Sequence, residues 1–280
     1  FLFRGRMKKL LLLVYMIAVV SVAFADGWRK GEMQVMIYLN TPDDGLVLKE
    51  LRINADVYGP EFNTARAYVV PAELEKIKQA GLSYEIEIED LNKRSQDSWS
   101  NRDSYHSYQE IVDVADSLAE YFPGIVKKVL YGYSVDNRQC FALKISDNVN
   151  IDEPEPEVMF DGGIHGDEHI AAEILVRFAR DIVLDYGTNA TVTDLINTRE
   201  IWLYLMVNPD GRVEDSRYNV NGVDLNRDWQ YMWDAWGGSP GPCSQPESKH
   251  LRECMYNNQF VVHTTYHSGT EYISCPWSYR

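Results

Sequence analysis

Cysteine is scarce in this chain, and positive charge is in the minority. Among 280 residues there are four cysteines, Cys140, Cys243, Cys254 and Cys275, none of them in a Cys-x-x-Cys pair. A zinc cluster built on cysteines, which draws on such pairs, is therefore excluded. Lysine and arginine together number 27 against 42 aspartates and glutamates, a formal net charge of −15. Phosphate backbones are held by clustered Lys and Arg, so nucleic acid is excluded as a partner, and the acidic surface reads as a solubility device. A membrane-spanning run is also missing. The apolar stretch at 10–20 falls short of the roughly 20 residues that cross a bilayer, and no stable membrane anchor is expected. What is present excludes disorder: 45% apolar and 12% aromatic residues are ample for a packed core, in one large or two smaller domains.

The stretch at 10–20 follows Met7, Lys8 and Lys9 and precedes Ala23, Phe24 and Ala25. A basic start, an apolar run and a small-residue cleavage site make a secretory signal peptide over 7–25, cut after Ala25. Residues 1–6 lie upstream of it and are set apart from the fold. A secreted or periplasmic protein is expected, in a compartment where disulfides form. Four cysteines allow three pairings, and one or two structural bridges are expected; Cys140, inside the apolar stretch QCFALKI, also reads as a buried free thiol.

Hydrophobic periodicity divides the remainder in two. Strands at 34–39, 53–58, 65–70 and 84–88 and helices at 44–51 and 72–80 give the order strand-helix-strand-strand-helix-strand, a small α+β domain of the split βαβ kind over 26–90. Residues 91–104 are polar and without apolar period, an exposed linker carrying the dibasic pair Lys93 and Arg94. From 105 to 280, helices at 108–121 and 168–183 alternate with strands at 128–133, 140–145, 157–160 and 201–207. The fold class is α/β, with a mixed, largely buried sheet and helices on both faces.

The chemistry concentrates after the strand at 157–160, where the sequence reads VMFDGGIHGDEHI. His165 and Glu168, three apart on a loop-to-helix turn, offer a nitrogen and a carboxylate to one zinc ion, with room left for water; such ligands suit a catalytic site. Because His169 follows, the same residues also spell HxxEH, the zinc endopeptidase motif in which a helix must bring both histidines to one face. Gly162, Gly163 and Gly166 argue for a loop.

Three further motifs follow in order: VNPDGR at 207–212, RYNVNGVDLNRDW at 217–229 and FVVHTTYHSG at 260–269. Together with HGDE they resemble the zinc carboxypeptidases of the carboxypeptidase A and B type, over roughly 104–280. The resemblance implies one zinc ion held by His165, Glu168 and His267, with Asp224 hydrogen-bonding His165. It implies that Asn226 and Arg227 grip the substrate's terminal carboxylate and that Arg217 steadies the oxyanion, Arg212 being the competitor for that role. His263, four residues before His267 in the strand, takes a supporting or core position. Asp167 and Gly269 depart from the family pattern, which bears on the outer substrate subsites. The N-terminal domain resembles the pro-domain that covers the cleft in this family. The implied substrate is the C-terminus of a peptide or protein, acted on by a monomer, with a general-base glutamate expected on a strand beyond Arg280. A catalytically incomplete binding protein of the same fold is the alternative.

Overall fold

A computed structural model describes residues 29–58, 63–91, 93, 105–269 and 273–275. The signal peptide, Arg94 and nearly all of the linker lie outside the described residues.

The N-terminal unit has the expected order: β1 (Met33–Tyr38), α1 (Pro42–Glu50), β2 (Ala55–Tyr58), β3 (Thr64–Val69), α2 (Pro71–Gln79) and β4 (Ser83–Ile88). The strands form one antiparallel sheet in the order β2-β3-β1-β4. Alternation in MQVMIY turns Met33, Val35 and Ile37 onto one face, where they pack with Leu48 and Ile77 of the two helices. Both helices begin with proline in the first turn, where no amide hydrogen is needed.

The second unit comprises α3 (Tyr108–Tyr121), β5 (Val126–Tyr133), β6 (Gln139–Ile145), β7 (Glu157–Gly162), α4 (His169–Asp185), α5 (Ala190–Ile196), β8 (Glu200–Tyr204), α6 (Pro209–Glu214), α7 (Pro246–Asn257) and β9 (Phe260–Tyr266). Its sheet runs β5-β6-β8-β7-β9. The pairs β5/β6 and β6/β8 are antiparallel and the pairs β8/β7 and β7/β9 parallel, a mixed sheet as expected. On one face α3 and α4 bury Ile111, Ala115, Leu175, Val176 and Ala179 against Leu143, Ile145 and Leu203. Each fully buried leucine there contributes about 1.5–3 kcal/mol. On the other face Leu251 of α7 joins Met159, Tyr204 and Leu225.

Parallel pairing fixes where the motifs meet. The C-terminal ends of β7, β8 and β9 lie at one edge of the sheet, so the loop with His165 and Glu168, the segment with Asp224, and His267 all issue from that edge.

Several expectations are corrected. The four cysteines are all free thiols, so no disulfide is present. Cys140 is wholly buried in β6 and Cys275 is exposed after β9, and burial pushes the Cys140 thiol up. Leu91 is buried against Tyr68 and Tyr218, so the polar linker begins after it. The strand expected at 201–207 ends at Tyr204, although Val207 and Asn208 still donate to the carbonyls of Gly162 and Gly163. Helices α5, α6 and α7 were not legible as helices. Asn208 accepts from Gly211 N at 2.8 Å and starts α6 with proline at its first position.

Glu247, in the first turn of α7, is fully buried, accepting from Val135 N and Asn219 Nδ2 at 3.3 Å each. Burial, reinforced by Asp210, lifts its carboxyl to about 7. Because the folded pKa lies above the unfolded one, its contribution is present below the unfolded value and is lost as pH rises through about 7. Glu247→Gln should therefore raise the thermal midpoint relative to the parent at pH 8 and do so less at pH 5. The parent should lose at most about 1.4 kcal/mol per pH unit across that window. Parallel melting curves that keep a constant offset from pH 5 to 8 would contradict this.

Candidate active site

The loop after β7 is shaped by its glycines. Gly163 takes φ +65, a conformation that side chains strain. A Cβ on Gly166 would stand 1.9 Å from the carbonyl carbon of Gly211, so only glycine lets the loop press onto α6. This packing turns His165 inward, where it is 1% exposed. Residues 164–167 form bends and turns, and α4 starts only at His169. The HxxEH reading is thereby overturned, since His165 and His169 do not share a helical face. His169 instead pairs with Asp215 at 2.6 Å and packs edge-on to Tyr105.

His165, Glu168 and His267 converge. Glu168 Oε1 lies 3.0 Å from His165 Nδ1, and its Oε2 lies 2.8 Å from His267 Nδ1. Each residue offers a ligand atom within 4.8 Å of the other two. His165 Nε2 faces Asp224 Oδ1 at 3.2 Å. An ionised carboxylate only accepts, so this contact keeps a proton on Nε2 and leaves Nδ1 as the nitrogen that faces Glu168.

Asp224 is fully buried and has four partners. Besides His165, its Oδ1 accepts from Asn226 N at 2.9 Å, and its Oδ2 accepts from Arg217 Nε at 2.9 Å and Asn54 Nδ2 at 3.1 Å. Burial opposes its charge, but Arg217 and His165 outweigh burial and hold its carboxyl well below the usual range. Arg217, 1% exposed, stacks on Tyr68 with its guanidinium 4.6 Å from the ring centre, and its Nη1 lies 3.4 Å from His165 Nδ1. Arg212 is committed elsewhere, to the carbonyl of His106 and to Glu173, which leaves Arg217 as the arginine beside His165. Asn226 and Arg227 follow on a single 3-10 turn, and Arg227 lies over the Trp236 ring.

Sequence reasoning missed Asp56. From β2 of the N-terminal unit, its Oδ2 lies 2.8 Å from Arg217 Nη2 and its Oδ1 bonds Arg227 Nη2. Burial would lift this carboxyl, yet Arg217 and Arg227 bring it down to about 2. His263 also finds its partner, pairing with Asp161 Oδ2 while Thr265 donates to Oδ1 at 2.7 Å.

A sequence profile described as zinc carboxypeptidase matches residues 111–280. The chain belongs to the zinc carboxypeptidase family. Among its relatives, a zinc carboxypeptidase of Saccharothrix mutabilis subsp. capreolus is 30% identical over 214 residues, which cover 66% of this chain and 49% of that protein. Carboxypeptidase A2 of Rattus norvegicus is 28% identical over 243 residues, 73% of this chain and 57% of its own. The chain thus spans about half the length of these curated relatives. The fold is shared with the crystal structure of the carboxypeptidase A from Helicoverpa armigera, at a TM-score of 0.69 and 23% identity, over 86% of this chain and 70% of that one. Thrombin activatable fibrinolysis inhibitor follows at 0.64 and 21%, over 89% and 75%.

The cofactor of this carboxypeptidase family is one zinc ion, and the residues here fit it. Two imidazoles and a carboxylate are the donor set of catalytic zinc sites that keep a position for water. The local field agrees: burial and Arg217 oppose charge on His165, yet Glu168 and Asp224 carry it up to about 9, so the site favours a cation. Burial, then the neighbouring Glu168 charge, raises Asp167 to about 7. If Asp224 sets the tautomer of His165, Asp224→Asn should weaken zinc binding about 10–100-fold. Competition against a chromophoric chelator reads this directly; an unchanged affinity would remove Asp224 from the metal site.

Proposed function

We propose that this protein is a secreted or periplasmic, monomeric metallocarboxypeptidase that removes the C-terminal residue of peptides or proteins. The observation that carries the reading is the convergence of His165, Glu168 and His267 beside Arg217 and Arg227. When bound, zinc supplies a Lewis acid for the scissile carbonyl and lowers the pKa of a water. Asp224 holds the His165 tautomer. Arg217, fixed by Asp224 and Tyr68, presents a preorganised positive charge to the oxyanion as it develops. Asn226 and Arg227 receive the terminal carboxylate, for which a guanidinium fork is the matching shape. This last pair distinguishes terminal from internal cleavage.

Protein expressed from its full gene is expected to carry one zinc ion and to hydrolyse a blocked dipeptide with a free carboxylate, but not its C-terminal amide. His267→Ala should abolish both the stoichiometric zinc and the hydrolysis. Equal turnover of acid and amide would refute the exopeptidase reading, and full activity in the His267 variant would remove it from the ligand set.

The N-terminal unit supports a second element of this reading, an inhibitory pro-domain. Asp56 engages both arginines assigned to the substrate's oxygens, so its carboxylate stands where a product carboxylate would compete. In the uncleaved protein, Asp56→Ala is expected to raise kcat/KM about tenfold, equivalent to ~1.4 kcal/mol. Unchanged kinetics would leave the unit a role in folding or export alone.

A further inference from the structure

A second group of acids lies at the opposite edge of the main sheet, where β7 and β8 begin. The loop 146–156, joining β6 to β7, carries Asp147, Asp152, Glu153 and Glu155, and two glutamates open the strands behind it. Glu157 and Glu200 are register partners on adjacent parallel strands, 8% and 1% exposed. Like charges placed opposite one another in a sheet are destabilising, and burial makes them more so. The cations facing this group are Lys144, whose Nζ lies 2.7 Å from Glu200 Oε1, and Arg199, whose charge acts on Glu155. Among the described residues these two positive charges face six carboxylates.

The way these carboxylates are held points to a ligand. Asp147 Oδ2 and Glu153 Oε1 accept from Asn148 Nδ2 at 3.3 and 3.1 Å, and Glu200 Oε1 accepts from Glu153 N at 3.1 Å. Their other oxygens, Asp147 Oδ1, Glu153 Oε2 and Glu200 Oε2, are buried without a hydrogen-bond partner among the described residues, as is Glu155 Oε2. Glu200 is nine-tenths buried and more, so its second oxygen has no recourse to bulk solvent. Asp147, Glu153 and Glu155 each offer an oxygen within 4.8 Å of the other two. That span is about twice the 2.3–2.6 Å of a calcium–oxygen bond.

We infer that Asp147, Glu153 and Glu155, beside the buried Glu200 that accepts from Glu153 N, form a second metal site, for a calcium ion. Oxygen-only ligands on an irregular loop suit a large hard cation; the set contains no histidine or cysteine for zinc, and magnesium demands a stricter octahedron. The ion would tie loop 146–156 to the start of β8 and neutralise the charge that Glu157 and Glu200 bury. Its role is to hold the sheet together at the end remote from His165.

The test uses zinc-loaded protein expressed from the full gene and stripped of calcium. Equilibrium dialysis with radioactive calcium should find one ion bound at or below millimolar concentration, with a rise in thermal midpoint. Glu153→Gln and Glu155→Gln should each lower the calcium affinity by about tenfold or more, since ligand charge sets affinity in such sites. Zinc content should not change, and His267→Ala should keep its calcium. Glu155→Gln should also melt higher than the parent without calcium, because one repelling charge is gone. No calcium uptake by the parent, uptake equal in both variants, or the same stabilisation by magnesium at equal concentration would each overturn the assignment.

Discussion

The negative charge of Asp224 sits in the interior with no access to water, and the active-site edge is organised to compensate it. Left alone it would be too costly to keep ionised. Its two oxygens are shared among His165, Arg217, Asn54 and the amide of Asn226. Each contact does more than neutralise. One sets which nitrogen of His165 faces Glu168, one holds a guanidinium beside that ligand, and one pins the turn that carries Asn226 and Arg227. Positioning of the proposed ligands, the oxyanion arginine and the carboxylate grip therefore depends on one buried group.

The sheet sets the large-scale arrangement. Strand direction sends three motifs to one edge of β7, β8 and β9, and leaves the acidic residues around Glu157 and Glu200 at the other. Both edges concentrate carboxylates, but they differ in kind. At one, imidazoles and buried arginines accompany Glu168. At the other, oxygen ligands stand nearly alone. The chemistry of the donor sets, rather than their count, separates the zinc reading from the calcium one.

Much of the site was legible because it is written in contiguous stretches. HGDE, DLNR and YHSG each place their residues on one loop, so spacing along the chain reports spacing in the fold. Asp56 and Asn54 gave no such signal, because they reach Arg227 and Asp224 across about 170 residues of sequence. Glu200 was likewise invisible as a neighbour of Glu153 until β8 was seen beside β7. Among the elements, α3 was legible from its apolar period, and in the structure Ser107 and Glu110 cap its start. Helix α7 was not, since only Glu247, Ser248 and Leu251 of its largely polar sequence are buried. Export alone suggested disulfides, but the thiol of Cys140 lies inside the sheet, where it packs as a small apolar group.

In the proposed site one zinc ion joins His165, Glu168 and His267. Anomalous diffraction at the zinc absorption edge, from crystals of the zinc-loaded protein, tests it most directly. A single strong peak is expected, bonded to Nδ1 of both histidines at about 2.0–2.1 Å and to the Glu168 carboxylate, with Asp224 still on His165 Nε2. A peak bonded through Nε2 of His165, or one seated away from these three residues, would contradict it.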